Sequence, residues 1–250
     1  MSYVIANWKM NKSIEESVEF AKELRKRKPF KNKAVICAPF TFLPGLSKEL
    51  KNDSEIFLGA QNVFFEDKGA FTGEVSPLML KPLCSYVILG HSERRKYLNE
   101  SFEMVKKKIN AAVKNDLIPV VCIGEDSKDL SLNEIKKEIS ERAQQYFSEL
   151  KLNDGSKLIV CYEPQWAIST SSAGSKEMNL SLLKEILVFF RKKLIEVLKE
   201  IGESVPLIFG GSVSRESIEG LFSLSELDGV LVGGASLDLD HFVDLLNFKK

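Results

Sequence analysis

A closed parallel (β/α)8 barrel of the α/β class is predicted by three features of the sequence. Eight short runs rich in Val, Ile, Leu and Phe recur along the chain. They are continuously apolar rather than alternating, as expected when both faces of a parallel sheet are covered. Charged, amphipathic segments lie between them, so each strand is followed by a crossover element.

The runs are Tyr3–Ala6, Ala34–Ala38, Ile56–Ala60, Tyr86–Leu89, Pro119–Ile123, Leu158–Tyr162, Pro206–Phe209 and Gly229–Val232. Their starts are separated by 31, 22, 30, 33, 39, 48 and 23 residues, near the ~30 of a βαβ unit. Eight units account for the 250 residues and match the usual size of such a barrel. The clearest helical segments are Ile14–Lys28, Phe102–Asn115, Leu132–Leu150 and Leu180–Ile201. Capping boxes mark two starts, Ser13 with Glu16 and Ser131 with Glu134. An open doubly wound sheet is the competing architecture, but Ala6-Asn7-Trp8-Lys9 stands where a Gly-x-Gly-x-x-Gly turn would follow the first strand. No Pro/Gly/Ser-rich tract divides the chain, so residues 1–250 read as one domain, with Ser169–Asn179 as a long functional loop.

The 35 Lys and Arg balance 35 Asp and Glu, leaving no global field for nucleic acid or an anionic membrane. Apolar runs such as Ile186–Phe190 fall far short of the ~20 residues of a membrane span. The N-terminal apolar run is too short for a secretory leader, which makes the cytoplasm the expected location. Cys37, Cys84, Cys122 and Cys161 match no metal or redox spacing and read as buried inert thiols. Neither a metal nor an organic cofactor is expected.

In such a barrel the loops that follow the strands share one face, and that face carries the chemistry. Asn7-Trp8-Lys9-Met10-Asn11 follows strand one, and Gly90-His91-Ser92-Glu93-Arg94-Arg95 follows strand four. Glu163-Pro164-Gln165-Trp166 follows strand six, Gly210-Gly211-Ser212 strand seven and Gly233-Gly234 strand eight. One rim therefore gathers a lysine, a histidine, two carboxylates and two double-glycine turns of the kind that bind phosphate through backbone N–H groups. Taken singly, Lys9 is a solvated charge, His91 a helix cap and Glu163 an ion-pair partner. His241, the second of only two histidines, is assigned a structural role deep in the C-terminal helix region. Ser92 beside His91 does not make a hydrolase site, because sequence neighbours do not face each other and no Gly-x-Ser-x-Gly elbow occurs.

These motifs, with Gly69-Ala70-Phe71-Thr72-Gly73-Glu74, Tyr162-Glu163-Pro164, Gly210-Gly211-Ser212-Val213 and Val232-Gly233-Gly234-Ala235-Ser236-Leu237, resemble the triosephosphate isomerase family in order and spacing from Asn7 to Leu237. The resemblance implies a TIM barrel that interconverts dihydroxyacetone phosphate and glyceraldehyde 3-phosphate through an enediol(ate). It implies Glu163 as the base and a neutral His91 as the electrophile, its imidazolium form disfavoured by the helix beginning near Ser92. Lys9 and Asn7 would face the phosphate and the developing oxyanion, and Glu93 would contact the lysine. Backbone N–H groups of Ser212, Gly233 and Gly234 would hold the phosphate, joined by Ser169 when the lid closes. Thr72, on an interdigitating loop Phe65–Glu74, would reach a partner subunit near Asn7 and Glu93, so a homodimer is expected.

The lid departs from the family pattern. Gln165, Ser169 and Ser171 replace the hinge valine and two glycines, and Phe209 stands where the family has a tyrosine that latches the closed lid. A barrel that binds a phosphorylated ligand without turnover is therefore the alternative reading. The intact Asn7, Lys9, His91 and Glu163 oppose it. A different phosphate-binding barrel isomerase, acting on an amino-sugar or indole precursor, would need a larger cavity. A latch hydrogen bond is worth about 0.5–1.5 kcal/mol, so Phe209→Tyr should raise turnover by up to roughly tenfold. A coupled assay with unchanged rates and unchanged inhibitor affinity would remove the latch argument.

Overall fold

The computed structural model describes residues 2–127, 129–164 and 179–249. Eight strands form a closed barrel: β1 (Tyr3–Asn7), β2 (Lys33–Ala38), β3 (Ile56–Ala60), β4 (Tyr86–Leu89), β5 (Ile118–Ile123), β6 (Ile159–Tyr162), β7 (Leu207–Gly211) and β8 (Gly229–Val232). Every neighbouring pair is parallel, and β1 closes the ring on β8 from Tyr3↔Gly229 to Ala6↔Val232. Helices follow the strands: α1 (Ile14–Lys26), α2 (Leu43–Glu49), α3 (Pro77–Leu80), α4 (Ser92–Leu98), α5 (Phe102–Lys114), α6 (Leu132–Phe147), α7 (Leu180–Leu198), α8 (Ile201–Ser204), α9 (Arg215–Phe222) and α10 (Leu239–Asn247).

The strands' period of two separates two cores. Ile5, Val35, Cys37, Ile88, Val120, Cys122, Ile159, Cys161, Ile208 and Leu231 fill the barrel interior. Val4, Ala6, Ile36, Val87, Leu89, Val121, Ile123, Val160, Leu207, Val230 and Val232 face outward beneath the helices. Both sets are buried, which is why the strands read as unbroken apolar runs. Continuing the inward parity past Ile5 and Cys161 brings Asn7 and Glu163 to the mouth of the same interior.

Both capping boxes form. Ser13 Oγ accepts the Glu16 N–H at 3.1 Å while Glu16 Oε2 accepts the Ser13 N–H at 2.7 Å, and Ser131 and Glu134 repeat the exchange. The helix expected over 180–201 breaks after Leu198, where Lys199 takes a φ of +59°. β7 runs two residues past Phe209, because Gly210 and Gly211 keep pairing with Leu231 and Val232. His241 lies on the C-terminal helix α10 and is exposed there, its backbone N–H bonded to Asp238 Oδ1 at 2.8 Å. All four cysteines are free and buried, as expected.

A buried ion pair fastens the rim on the β3–β5 side. Lys108 of α5 pairs with Glu100 and donates to Asn62 Oδ1 at 2.9 Å, with Lys108 and Glu100 side chains each 2% exposed. Arg94 Nε lies 3.2 Å from the same Glu100 oxygen. Charges so deep are tolerated only when mutually satisfied, and removing one partner of such a pair typically costs about 3–5 kcal/mol. Among the described residues, no helix is long and apolar enough to cross a membrane.

Candidate active site

The end of β1 turns sharply at Lys9, whose φ of +52° is a left-handed conformation that a side chain makes unfavourable by roughly 1–2 kcal/mol. Three contacts hold it there. Lys9 N–H donates to Asn7 Oδ1 at 3.1 Å, Lys9 C=O accepts from Gln61 Nε2 at 3.0 Å, and Lys9 Nζ lies 2.6 Å from Glu93 Oε1. Gln61 also donates to the Cys37 carbonyl at 3.0 Å, tying the loops after β1 and β3 together. Strain concentrated in a residue fixed this firmly marks a place where geometry matters more than comfort. With its carbonyl oxygen committed to the turn, Asn7 has its amide N–H group to offer a ligand.

His91 caps α4. Its Nδ1 accepts the Glu93 N–H at 3.2 Å, so the ring hydrogen belongs on Nε2. Glu93 Oε2 also lies 3.7 Å from Nδ1, too far and without a hydrogen to share; the cap governs the ring. Nε2 then points at Glu163 Oε1, 2.8 Å away. The other carboxylate oxygen accepts the Ser92 N–H at 3.3 Å.

Glu163 is 2% exposed. Burial pushes its carboxyl pKa up, but His91, Arg95 and a hydrogen bond with Cys122 outweigh that and hold it below the ordinary carboxylate value. The group is thus ionised at neutral pH. Because the folded value lies below the unfolded one, this stabilisation is complete above the ordinary carboxylate range and is lost as pH falls through the lower folded value. Room around Glu163 is tight: a Cβ on Gly124 would sit 2.0 Å from the Glu163 carbonyl oxygen, so only glycine lets β5 approach its backbone.

The last two loops complete the rim. Gly211 and Val232 are paired, so Ser212 and Gly233 leave the barrel side by side. An ideal Cβ on Gly233 would lie 3.7 Å from Lys9 Cε and 4.0 Å from Nζ, and one on Gly234 would meet nothing within 4 Å. Neither glycine adopts a positive φ. Neither is demanded by the protein's own packing, and the space beside them suits a ligand that approaches backbone N–H groups beside an ammonium. Gly234 also opens a one-turn helix, Gly234–Ser236.

The structure therefore brings together Asn7, Lys9, His91, Glu93 and Glu163, with Gly233 beside Lys9 and Ser212 on the adjoining strand end. Gln165, Trp166, Ser169 and Ser171 of the lid lie outside the described residues. Phe209 is buried in β7, its ring 6.3 Å from that of Tyr162. The Tyr162 hydroxyl lies 3.0 Å from each oxygen of the buried Glu125 carboxylate. Gln61 and Glu125 have no role in the sequence reading, Arg95 stands there only inside a motif, and Cys122 reads there as an inert thiol. Gln61 and Glu125 carried the one available signal, polar residues just beyond a strand's C-terminal end.

A family model described as triosephosphate isomerase matches residues 2–249. The chain belongs to the triosephosphate isomerase family. Relatives named triosephosphate isomerase include one from Clostridium tetani (strain Massachusetts / E88), 41% identical over 98% of this chain and 96% of its own length. Another, from Dictyoglomus turgidum, is 40% identical over 97% of each chain. The crystal structure of triosephosphate isomerase from Bartonella henselae superposes with a TM-score of 0.84 at 28% identity, covering 98% of this chain and 97% of that one. As a member of this family the chain is an aldose–ketose isomerase built on a TIM barrel.

The open space at Gly234 makes a prediction about anion binding. Gly234→Ala keeps the backbone N–H but puts a methyl group into that space; it should leave the thermal midpoint unchanged and weaken inorganic phosphate about tenfold, the scale of one hydrogen bond to a charged group held off its distance. Unchanged phosphate affinity by calorimetry would remove Gly234 from the anion site.

Proposed function

We propose that this rim interconverts dihydroxyacetone phosphate and glyceraldehyde 3-phosphate, with Glu163 as the base and His91 as the electrophile. One observation carries the reading: an ionised buried carboxylate and an imidazole N–H meet 2.8 Å apart at the mouth of the barrel. Removing a proton from the carbon next to a carbonyl builds negative charge on the carbonyl oxygen, so a base and a donor are needed on either side of one small substrate. The substrate's carbonyl oxygen takes the place of Glu163 Oε1 as acceptor of the Nε2–H. Glu163, freed from that contact, removes the proton from one carbon and returns it to its neighbour, while His91 Nε2 gives its hydrogen to the first oxygen and recovers one from the hydroxyl of the second, so that the O–H moves as the C–H does. Lys9 stabilises the enediolate and the phosphate together, and Glu93 holds the Lys9 ammonium in place. Asn7 supplies a further donor, while the N–H groups of Ser212, Gly233 and Gly234 receive the phosphate. A proton shift between adjacent carbons needs neither an electron carrier nor a metal.

Glu163→Gln keeps the shape of the side chain but not its basicity. It should lower kcat by about 10²–10⁴-fold with the fold intact by circular dichroism, and Glu163→Asp should retain measurable activity. A parent chain without isomerase activity, or a Gln variant with parental turnover, would sink the assignment.

The reading extends to a homodimer. Met10 (95% exposed), Phe71, Leu78, Met79, Tyr97 and Leu98 are exposed apolar side chains of the β1 turn, the Phe65–Glu74 loop, α3 and α4, surface that a second copy would cover. The Phe65–Glu74 loop is braced for docking: Phe64 stacks on Phe65 at 4.2 Å and meets Phe71 in a tilted contact at 4.6 Å, and Asp67 pairs with Lys114 at 2.9 Å. Thr72, at its exposed tip, supplies the contact to the second copy's site. The four buried free thiols suit a reducing cytoplasm. Sedimentation should give twice the chain mass, and Thr72→Arg should shift it toward the monomer and reduce turnover together. A fully active monomer would contradict this.

A further inference from the structure

Behind the His91 turn lies a charged cluster that the chemistry above does not use. Arg95 of α4 is 10% exposed. Its Nη1 donates to the carbonyl of Gly90, the residue that precedes His91. Its Nη2 lies 3.2 Å from Asp126 Oδ1. The second oxygen of Asp126 is 3.0 Å from Nη2 of Arg142 on α6, and the same nitrogen is 2.7 Å from Glu138 Oε2. Arg142 is only 7% exposed, and its Nη1 has no hydrogen-bond partner among the described residues. Its polar contacts therefore run through Nη2 to Asp126 and Glu138. The buried Arg142 and the part-buried Arg95 share one carboxylate, Asp126, which reaches in from the surface with its side chain 55% exposed.

Gly90 is the point on which this cluster acts. Its φ is +68°, and a Cβ there would lie 3.1 Å from Val105 Cγ1 and 3.3 Å from the Cys122 carbonyl oxygen. The turn is thus pressed against α5 and β5 on one side while Arg95 grips its carbonyl from the other. The next residue is His91, whose Nε2 must meet the reacting oxygen.

We propose that Arg95 is a positioning residue for the isomerisation: through the Gly90 carbonyl it fixes the turn that aims His91, and the Asp126–Arg142 relay holds Arg95 in place. The proposal rests on the roles given above to His91 and Glu163. A guanidinium suits the task because its planar fork reaches Gly90 and Asp126 at once, which a lysine ammonium on a flexible stem does not do with the same geometry. The charge of Arg95 also reaches Glu163, alongside His91 and Cys122, and Cys161 lies close enough to feel the carboxylate.

Steady-state kinetics, pH–rate profiles and thermal unfolding of the full chain test this with Arg95→Met, Arg95→Lys, Asp126→Asn, Arg142→Met and the Asp126→Asn/Arg142→Met double variant. A misaimed reacting group costs on the order of 10²-fold for 1 Å, so Arg95→Met should lower kcat about 10- to 100-fold. KM should stay within about threefold, because the groups that bind phosphate are untouched. Its acid limb should move to higher pH as Glu163 loses a neighbouring cation. Arg95→Lys should restore the limb but not the full kcat, separating charge from fork. Asp126→Asn should lower kcat several-fold, and adding Arg142→Met should lower it no further, as for two members of one relay. Parental kcat in Asp126→Asn and Arg95→Met, with only the melting temperature reduced, overturns the proposal. Should Arg95→Met fail to fold, the Asp126 and Arg142 variants, which retain Arg95, decide alone. An inactive parent or an active Glu163→Gln overturns the site assignment and this proposal with it, whereas an active parent with inert Arg95 and Asp126 variants overturns the positioning role alone.

Discussion

Closure of β1 on β8 is the constraint on which the rest of this molecule depends. Four residue pairs, Tyr3↔Gly229 to Ala6↔Val232, join the two ends of a sheet that would otherwise have two open edges. Closure also places the loops after the strands on one rim. Lys9 and Gly233 are 224 residues apart in the chain, yet they become neighbours because their strands are hydrogen-bonded partners. The same ring converts a period-two alternation into an inside and an outside, and Asn7 and Glu163 emerge at the rim on the inner face.

On that rim the protein keeps charge where burial opposes it. Glu163 is nearly inaccessible and still ionised, since an imidazole N–H, a backbone N–H and a thiol surround it. Lys9 is held in a left-handed turn by the Asn7 amide at the end of β1, Gln61 just after β3 and the Glu93 carboxylate on α4. Such arrangements give up stability locally and are sustained by the packed barrel beneath, which fixes the backbone before any ligand arrives. Glu163 and His91 rest against each other, so a ligand that accepts the Nε2–H exchanges one hydrogen bond for another rather than creating a site.

Much of the fold was legible because parallel strands covered on both faces carry a simple signature. The bounds of β3, β4 and β8 coincide with apolar runs. β7 extends into Gly210 and Gly211 because ladder pairing there uses backbone groups that any residue has, and glycines advertise turns. The break at Lys199 was hidden for a related reason: apolar periodicity continues through Ile201, while a single residue's φ ends the helix. Of the site, the residue types and their loops were legible, since Asn7, Lys9, His91, Glu93 and Glu163 all sit just past strand ends.

By itself the sequence determined which side chains could do chemistry and that one barrel rim would collect them, because short-range periodicity and strand-end position are local properties of the chain. The tertiary structure alone decided how they meet. The direction of the His91 ring hydrogen follows from a cap bond to Glu93, the ionisation of Glu163 from neighbours on β4, α4 and β5, and the grip of Arg95 on Gly90 from a shared Asp126. Each is a contact set to within an ångström by elements distant in sequence, and hydrogen bonds and charges act over those distances rather than along the chain.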